Sequence, residues 1–238
     1  MTEDPRRDEL AGRLAAVDRR VADACAAAGR ARADVHLIAV TKTFPADDVA
    51  RLVSLGVADV AENRDQEAAA KVARSASLGV TGVRWHFVGQ LQTNKARSVA
   101  AYADVVHSLD RVRLVAALER AAGEHGRVID ALVQVDLGDG RDRGRGGAAP
   151  SGVPEVAAAL AECDHLRLAG VMAVAPLEGA PGPAFARLAD VAAEIRGTYP
   201  DATVVSAGMS GDLEVAVAHG ATHLRVGRAL LGSRPALG

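Results

Sequence analysis

Aromatic residues are scarce in this chain of 238 residues, where Phe, Trp and Tyr together make up 3%. Hydrophobic residues are nonetheless 49% of the total, so a sizeable core has to be built from Ala, Val and Leu. The formal net charge at neutral pH is only −2. That leaves no electrostatic footprint for a nucleic acid or an anionic membrane surface, and neither is expected as a partner. Cysteine is nearly absent. Cys25 and Cys163 stand far apart, which excludes a disulfide framework and a paired-cysteine metal site, and free thiols suit a reducing compartment. No apolar run reaches the length needed to span a bilayer. The opening residues, MTEDPRRDEL, are charged and lack the apolar stretch of a signal peptide. A soluble, cytoplasmic protein is the expectation.

What the sequence does have is alternation. An Ala/Arg-rich segment, about 6–28, carries Leu10, Leu14, Val17, Val21 and Ala24 at helical spacing and stops at Gly29. Eight short runs with strand character follow: VHLIAV, VADVAEN, RWHFVG, DVVHSL, ALVQVDL, LRLAGVMAV, TVVSAG and THLRVG. Helical stretches separate them, at about 46–56, 63–77, 93–102, 110–124, 152–162, 183–197 and 211–220, and RALLG opens a last helical turn. Asp110 is placed to cap the helix that follows it. Strict alternation predicts a parallel sheet with helices outside. Eight such units at this length fit a closed (β/α)8 TIM barrel with an extra N-terminal helix better than an open doubly wound sheet. No linker or composition shift divides the chain, so residues 1–238 read as a single domain. The Gly- and Arg-rich stretch GDGRDRGRGGAAPSG, 138–152, reads as a mobile loop.

In such a barrel the site lies at the C-terminal ends of the strands, so the residues just after each apolar run carry the information. A lysine at a strand end is most often a solvated charge, but Lys42 follows a buried run directly, at the barrel mouth. Apolar neighbours make an ammonium lose its proton more readily, and a neutral amine can attack an aldehyde to give a Schiff base. At the other end of the chain, Gly208, Ser210 and Gly211 precede a helix whose first N–H groups are free for phosphate oxygens. Gly227 permits close backbone approach and Arg228 starts the next helical turn. Phosphate sites after the seventh and eighth strands recur in barrels. A lysine amine and a phosphate corner together point to a phosphate-bearing aldehyde, with pyridoxal 5'-phosphate the leading candidate. Arg225 is either a paired surface arginine or a cation facing the ring of that cofactor, where it would keep the pyridine nitrogen unprotonated and weaken the cofactor as an electron sink. His86, flanked by Trp85 and Phe87, reads as a satisfied core histidine, Gln92, Thr93 and Asn94 as possible caps, and Met172 and Met209 as packing.

The stretches LIAVTKT, AENRDQE, RWHFVGQLQTNKAR, LAGVMAVAP and VVSAGMSGDLEVAVAHGATHLRVGRALLG resemble the pyridoxal-phosphate-binding homeostasis proteins, whose fold is similar to the barrel domain of alanine racemase. The resemblance covers about residues 6–235. It implies that Lys42 carries the cofactor as a Schiff base, that Ser210 and the backbone at Gly227 and Arg228 hold its phosphate, that Arg225 faces the pyridine nitrogen, and that Asn63 lies beside the cofactor. The chain departs from the family at Arg64, where many members have tyrosine. It departs at Phe44, where some have a second lysine, and at Arg145-Gly146-Gly147, which replaces a lysine-bearing loop.

The resemblance implies a non-catalytic protein that buffers or delivers pyridoxal 5'-phosphate, with apo forms of enzymes that use this cofactor as possible recipients. The competing reading is an amino-acid racemase. Racemisation needs an acid/base group on each face of the cofactor. In the racemases the second base comes from a C-terminal β domain, which is not expected here, and Tyr102 and Tyr199 fall on the helical layer. A monomer with an open site is the expectation. A cofactor-independent Schiff-base aldolase using Lys42 is disfavoured by the family stretches.

Overall fold

The computed structural model describes residues 4–138, 146–176 and 178–233. The first helix, α1 (Pro5–Ala27), starts where Pro5 supplies a preset backbone angle and the Asp4 carboxylate accepts from Arg7 N–H. One face, Leu10, Val17, Val21, Ala24 and Cys25, is buried. Gly29 closes the helix with φ of +64°.

Strands and helices then alternate: β1 (His36–Val40), α2 (Ala46–Ser54), β2 (Asp59–Glu62), α3 (Asp65–Ser77), β3 (Arg84–Phe87), α4 (Ala96–Ala100), β4 (Val105–Leu109), α5 (Val112–Glu124) and β5 (Ile129–Gln134). The second half adds α6 (Val153–Ala161), β6 (Leu166–Met172), α7 (Pro181–Thr198), β7 (Val204–Ser206), α8 (Leu213–Ala218), β8 (His223–Val226) and α9 (Arg228–Leu231). All neighbouring strands are parallel, and β8 pairs back onto β1, closing the (β/α)8 barrel. Alternation along each strand sends one set of side chains to the helices and the other to the barrel axis. The outward set joins the helices in one large aliphatic core that includes Ala39, Val60, Val106, Val133, Val171 and Val205. The inward set holds only two small apolar clusters, Ile38, Val40 and Ala61 in one and Val105, Leu132 and Met172 in the other. Among the described residues, the buried His86, His107, Ser206 and Arg225 also turn inward.

The sequence-based expectations need four corrections, two of them to element boundaries. The fifth strand begins at Ile129 and ends at Gln134, and Val135 instead forms a single bridge with Ala148. The helix expected from residue 93 is a single 3-10 turn, Thr93–Lys95, before α4, and neither start has a side-chain cap. Asp110 caps nothing; Arg111 takes the capping position, and the Asp110 carboxylate accepts from its guanidinium. Met209, expected in packing, is exposed, whereas Met172 is buried. Part of the loop expected over 138–152, including Arg145, lies outside the described residues.

Candidate functional site

Lys42 follows β1 and is half-buried. The alternation that turns Ile38 and Val40 to the barrel axis gives Lys42 the same side at the C-terminal mouth. Its peptide neighbours are held from the outer face of the barrel. The Lys71 ammonium, on α3, donates to the Thr41 carbonyl at 2.7 Å, to Glu62 Oε1 at 2.6 Å and to Glu67 Oε1 at 3.2 Å. Thr41 Oγ1 donates to the same Glu62 oxygen at 2.6 Å, and Thr43 N–H donates to Glu67 Oε1. Burial pushes the Glu62 carboxyl above the usual carboxylate range, with Lys71 and then Thr41 pulling the other way. Thr43 has a φ of 69°. A β-branched residue in the left-handed region is strained by about 1–3 kcal/mol, so this cluster holds Thr43, the residue after Lys42, in a conformation it would not adopt alone.

Asn63 follows β2 on the inward register of Asp59 and Ala61. Gly89, at the end of the neighbouring strand, packs against it: a Cβ there would sit 2.0 Å from the Asn63 carbonyl oxygen. Only glycine permits this approach. Beside Asn63 a cleft of about 460 Å³ opens between the loops after β2 and β3, lined by Arg64, Glu67, Gln90, Gln92 and Lys95 among others.

The loops after β7 and β8 meet at one corner. Ser210 Oγ accepts from Ala229 N–H at 3.1 Å, which joins the Ser210 turn to the start of α9. The N–H groups of Gly211 and Arg228 have no acceptor among the described residues. Gly208, with φ of +88°, makes the preceding turn; a Cβ there would meet Ala216 at 2.6 Å. A Cβ on Gly227 would sit 3.4 Å from the Val40 carbonyl, so this corner lies directly against the end of β1. From outside, α1 ties the corner down: Arg20 donates to the Ser210 carbonyl at 3.1 Å and pairs with Glu214 at 2.7 Å.

Arg225 points inward from β8 and is buried. Its Nη1 donates to Ser206 Oγ at 2.6 Å and its Nη2 to the Ala173 carbonyl at 2.8 Å. No carboxylate pairs with it among the described residues. Burial lowers the guanidinium to about 10, against the opposing pull of Asp212. Of the two sequence readings, its burial excludes the paired surface arginine.

Lys42, Asn63, Arg225, Gly227, Arg228 and Ser210 therefore stand at the same barrel mouth. The Glu62–Lys71–Glu67 cluster and the partners of Arg225 were not singled out in the sequence. Parity could have signalled Asp59, His86, His107 and Arg225, which are charged or imidazole side chains at inward positions of strands, but not Glu62, which falls on the outward side of β2. Lys71 gave no signal, because a lone lysine on a polar helix reads as solvated.

Residues 13–235 match the alanine racemase N-terminal domain family. A pyridoxal phosphate homeostasis protein of Mycobacterium tuberculosis is 46% identical over 243 residues, covering 96% of this chain and 94% of that one. Its counterpart in Escherichia coli K12 is 35% identical, with 95% and 97% covered. The solved structure of PipY from Synechococcus elongatus with PLP bound superposes with a TM-score of 0.79 at 34% identity, covering 94% of this chain and 100% of that one. The chain belongs to the pyridoxal phosphate homeostasis protein family, on the barrel it shares with the alanine racemase N-terminal domain.

Proposed function

We propose that this protein holds pyridoxal 5'-phosphate on Lys42 and serves its intracellular homeostasis by buffering and delivery, without turning over an amino acid. The observation that carries the reading is the donor set at one barrel mouth. A primary amine and a buried, carboxylate-free guanidinium share the inward face, and Ser210 and two N–H groups without acceptors line the corner beside them. That set fits an aldehyde, a ring nitrogen and a phosphate. When bound, the cofactor supplies an electrophilic aldehyde and an electron sink.

In this arrangement Lys42 is the point of covalent attachment, with the residues on either side of it held by Lys71, Glu62 and Glu67. Ser210 and the backbone at Gly227 and Arg228 hold the phosphate, and Asn63 lies beside the ring. Arg225 places a permanent cation at the pyridine nitrogen, which keeps that nitrogen unprotonated and favours holding over carbanion chemistry. A racemase would need a second acid/base group opposite Lys42. Tyr102 packs in the outer core and Tyr199 against it, away from the barrel axis, and no observation favours that reading. The test is a pair of assays on the loaded protein. It is expected to restore activity to an apo enzyme that requires this cofactor and to leave alanine and serine optically unchanged. A robust racemisation rate that disappears in Lys42→Ala would overturn the carrier reading.

A further inference from the structure

Arg225 is one end of an unbroken chain of polar contacts through the barrel interior. Ser206 Oγ, which accepts from Arg225, lies 3.1 Å from His107 Nδ1. His107 Nε2 lies 2.8 Å from His86 Nδ1, and His86 Nε2 lies 2.8 Å from Asp59 Oδ1. Arg225, Ser206, His107, His86 and Asp59 come from β8, β7, β4, β3 and β2. Ser206 pairs with His223, the first residue of β8 and two residues before Arg225, and Asp59 is the first residue of β2, so the chain runs from Arg225 toward the N-terminal end of the barrel. Ser206 and His107 are 0% exposed and His86 2%.

The direction of every hydrogen bond in it is forced. A guanidinium can only donate and a carboxylate can only accept. Burial pushes the Asp59 carboxyl up, but the hydrogen bond and charge of His86 and the charge of Arg84 outweigh it and leave the group below its usual range, so it is ionised at neutral pH. A neutral His86 must then carry its hydrogen on Nε2 and accept at Nδ1. His107 must donate from Nε2 and accept at Nδ1. Ser206 must donate its hydroxyl hydrogen to His107 while accepting from Arg225. With one added proton a second arrangement is complete. His86 becomes an imidazolium paired with Asp59 and donates from Nδ1. His107 then accepts at Nε2 and donates from Nδ1, so Ser206 accepts from both His107 and Arg225 and its own hydrogen is released.

We propose that Asp59, His86, His107 and Ser206 are positioning residues that hold Arg225 through a relay of fixed polarity, and that one proton taken up by the His86–Asp59 pair inverts that polarity. The Asp59 carboxylate faces His86 and, among the described residues, none faces His107, so the added proton belongs to the His86–Asp59 pair; burial, then His86 and Arg225, hold the His107 imidazole well below its usual range. The other charged and titratable groups around the pair are known. Arg84 of β3 lies 4.0 Å from Asp59 and 2.8 Å from Asp130 of β5. Asp130 also pairs with Arg167 of β6 at 2.5 Å. His223 of β8 stacks on His36 of β1 with ring centroids 4.8 Å apart. The consequence for the bound cofactor rests on the reading that Arg225 faces its ring: a proton taken up by the His86–Asp59 pair then changes how the guanidinium is held, with no titration at the site itself.

The test uses the ligand-free protein, so it stands whether or not the cofactor reading does. Imidazole 15N shifts are followed by NMR from about pH 8 to about pH 5, across the ordinary histidine range. Both rings are expected as neutral Nε2–H tautomers at the high end. As His86 gains its second proton, His107 should exchange Nε2–H for Nδ1–H with the same midpoint. Asp59→Asn, nearly isosteric, should lower that midpoint through loss of the ion pair. Three results would each overturn the relay: His107 already Nδ1–H at the high end, a His107 tautomer that stays fixed across the range, or an Asp59→Asn midpoint equal to the parent's. The parent titration decides the coupling even if the variant folds poorly.

Discussion

Replacing Lys71 with methionine is expected to destabilise the fold by about 3–5 kcal/mol, the range for removing one partner of a buried ion pair. Lys71 is 6% exposed and Glu62 0%. Methionine keeps the length and bulk of the lysine stem but removes all three ammonium hydrogen bonds, at 2.6, 2.7 and 3.2 Å. Glu62 is left with the Thr41 hydroxyl alone, and its Oε2 already has no partner. An isolated buried carboxylate is disfavoured in its charged form, so the Glu62 carboxyl rises further above its usual range. The sign of the pH dependence follows. For a raised carboxyl the stabilising contribution is present below the unfolded value, about 4.3, and is lost as pH rises through the folded value. The variant should therefore lose most stability at neutral pH and less under mildly acid conditions. Urea unfolding followed by circular dichroism at both pH values measures this. Adding Glu62→Gln removes the buried charge and should recover part of the loss. A single variant within about 1 kcal/mol of the parent, outside the range for a broken buried pair, or a double variant less stable than the single one, would refute the reasoning.

Three further outcomes follow from the same geometry. Gly89→Ala puts a Cβ 2.0 Å from a backbone oxygen of Asn63, which no side-chain rotation can relieve. It should cost about 1–3 kcal/mol and weaken pyridoxal 5'-phosphate affinity, read by equilibrium unfolding and by titration. His107 is held well below its usual value and His223 is lowered to about 4, both chiefly by burial. Each favours the native state when neutral, so their contribution is present above about pH 6.5 and lost as pH falls, at up to about 1.4 kcal/mol per pH unit for each ring. A flat unfolding midpoint across that interval would contradict the burial of these rings. Arg20→Ala removes the tie to the Ser210 carbonyl at 3.1 Å and should raise the cofactor dissociation constant several-fold, in line with about 1 kcal/mol for one hydrogen bond.

The barrel was legible because strand and helix periods alternate through the chain, and each apolar run ends where a polar residue can face the mouth. Lys42 could be found by its place after LIAV, and Ser210, Gly227 and Arg228 by their place after the last two runs. The support behind them was not legible, because it depends on closure. Asp59, His86, His107, Ser206 and Arg225 meet only when β8 returns to β1, and no local spacing connects them. His86 could be read as a satisfied core histidine, but not what satisfies it. Lys71 looked like any lysine on an Ala-rich helix until α3 was packed over β1 and β2. Asp110 was misplaced by one residue because capping preference is a local propensity, and here the Arg111 backbone, with φ of −161°, takes the extended capping conformation while Asp110 accepts its guanidinium. Met209 was assigned to packing from its residue type, yet it sits exposed on the turn that carries Ser210.

The central claim is that Lys42 carries the cofactor. Its direct test is borohydride reduction of the protein loaded with pyridoxal 5'-phosphate, followed by peptide mapping. The only other lysines are Lys71 and Lys95. Lys71 is committed to Thr41, Glu62 and Glu67, and Lys95, in the 3-10 turn before α4, faces Asp65 at 3.8 Å. One cofactor per chain fixed on the peptide containing Lys42, and none in Lys42→Ala, is the predicted result. A stoichiometric adduct on Lys71 or Lys95, or no reducible visible band after saturation with the cofactor, would contradict it.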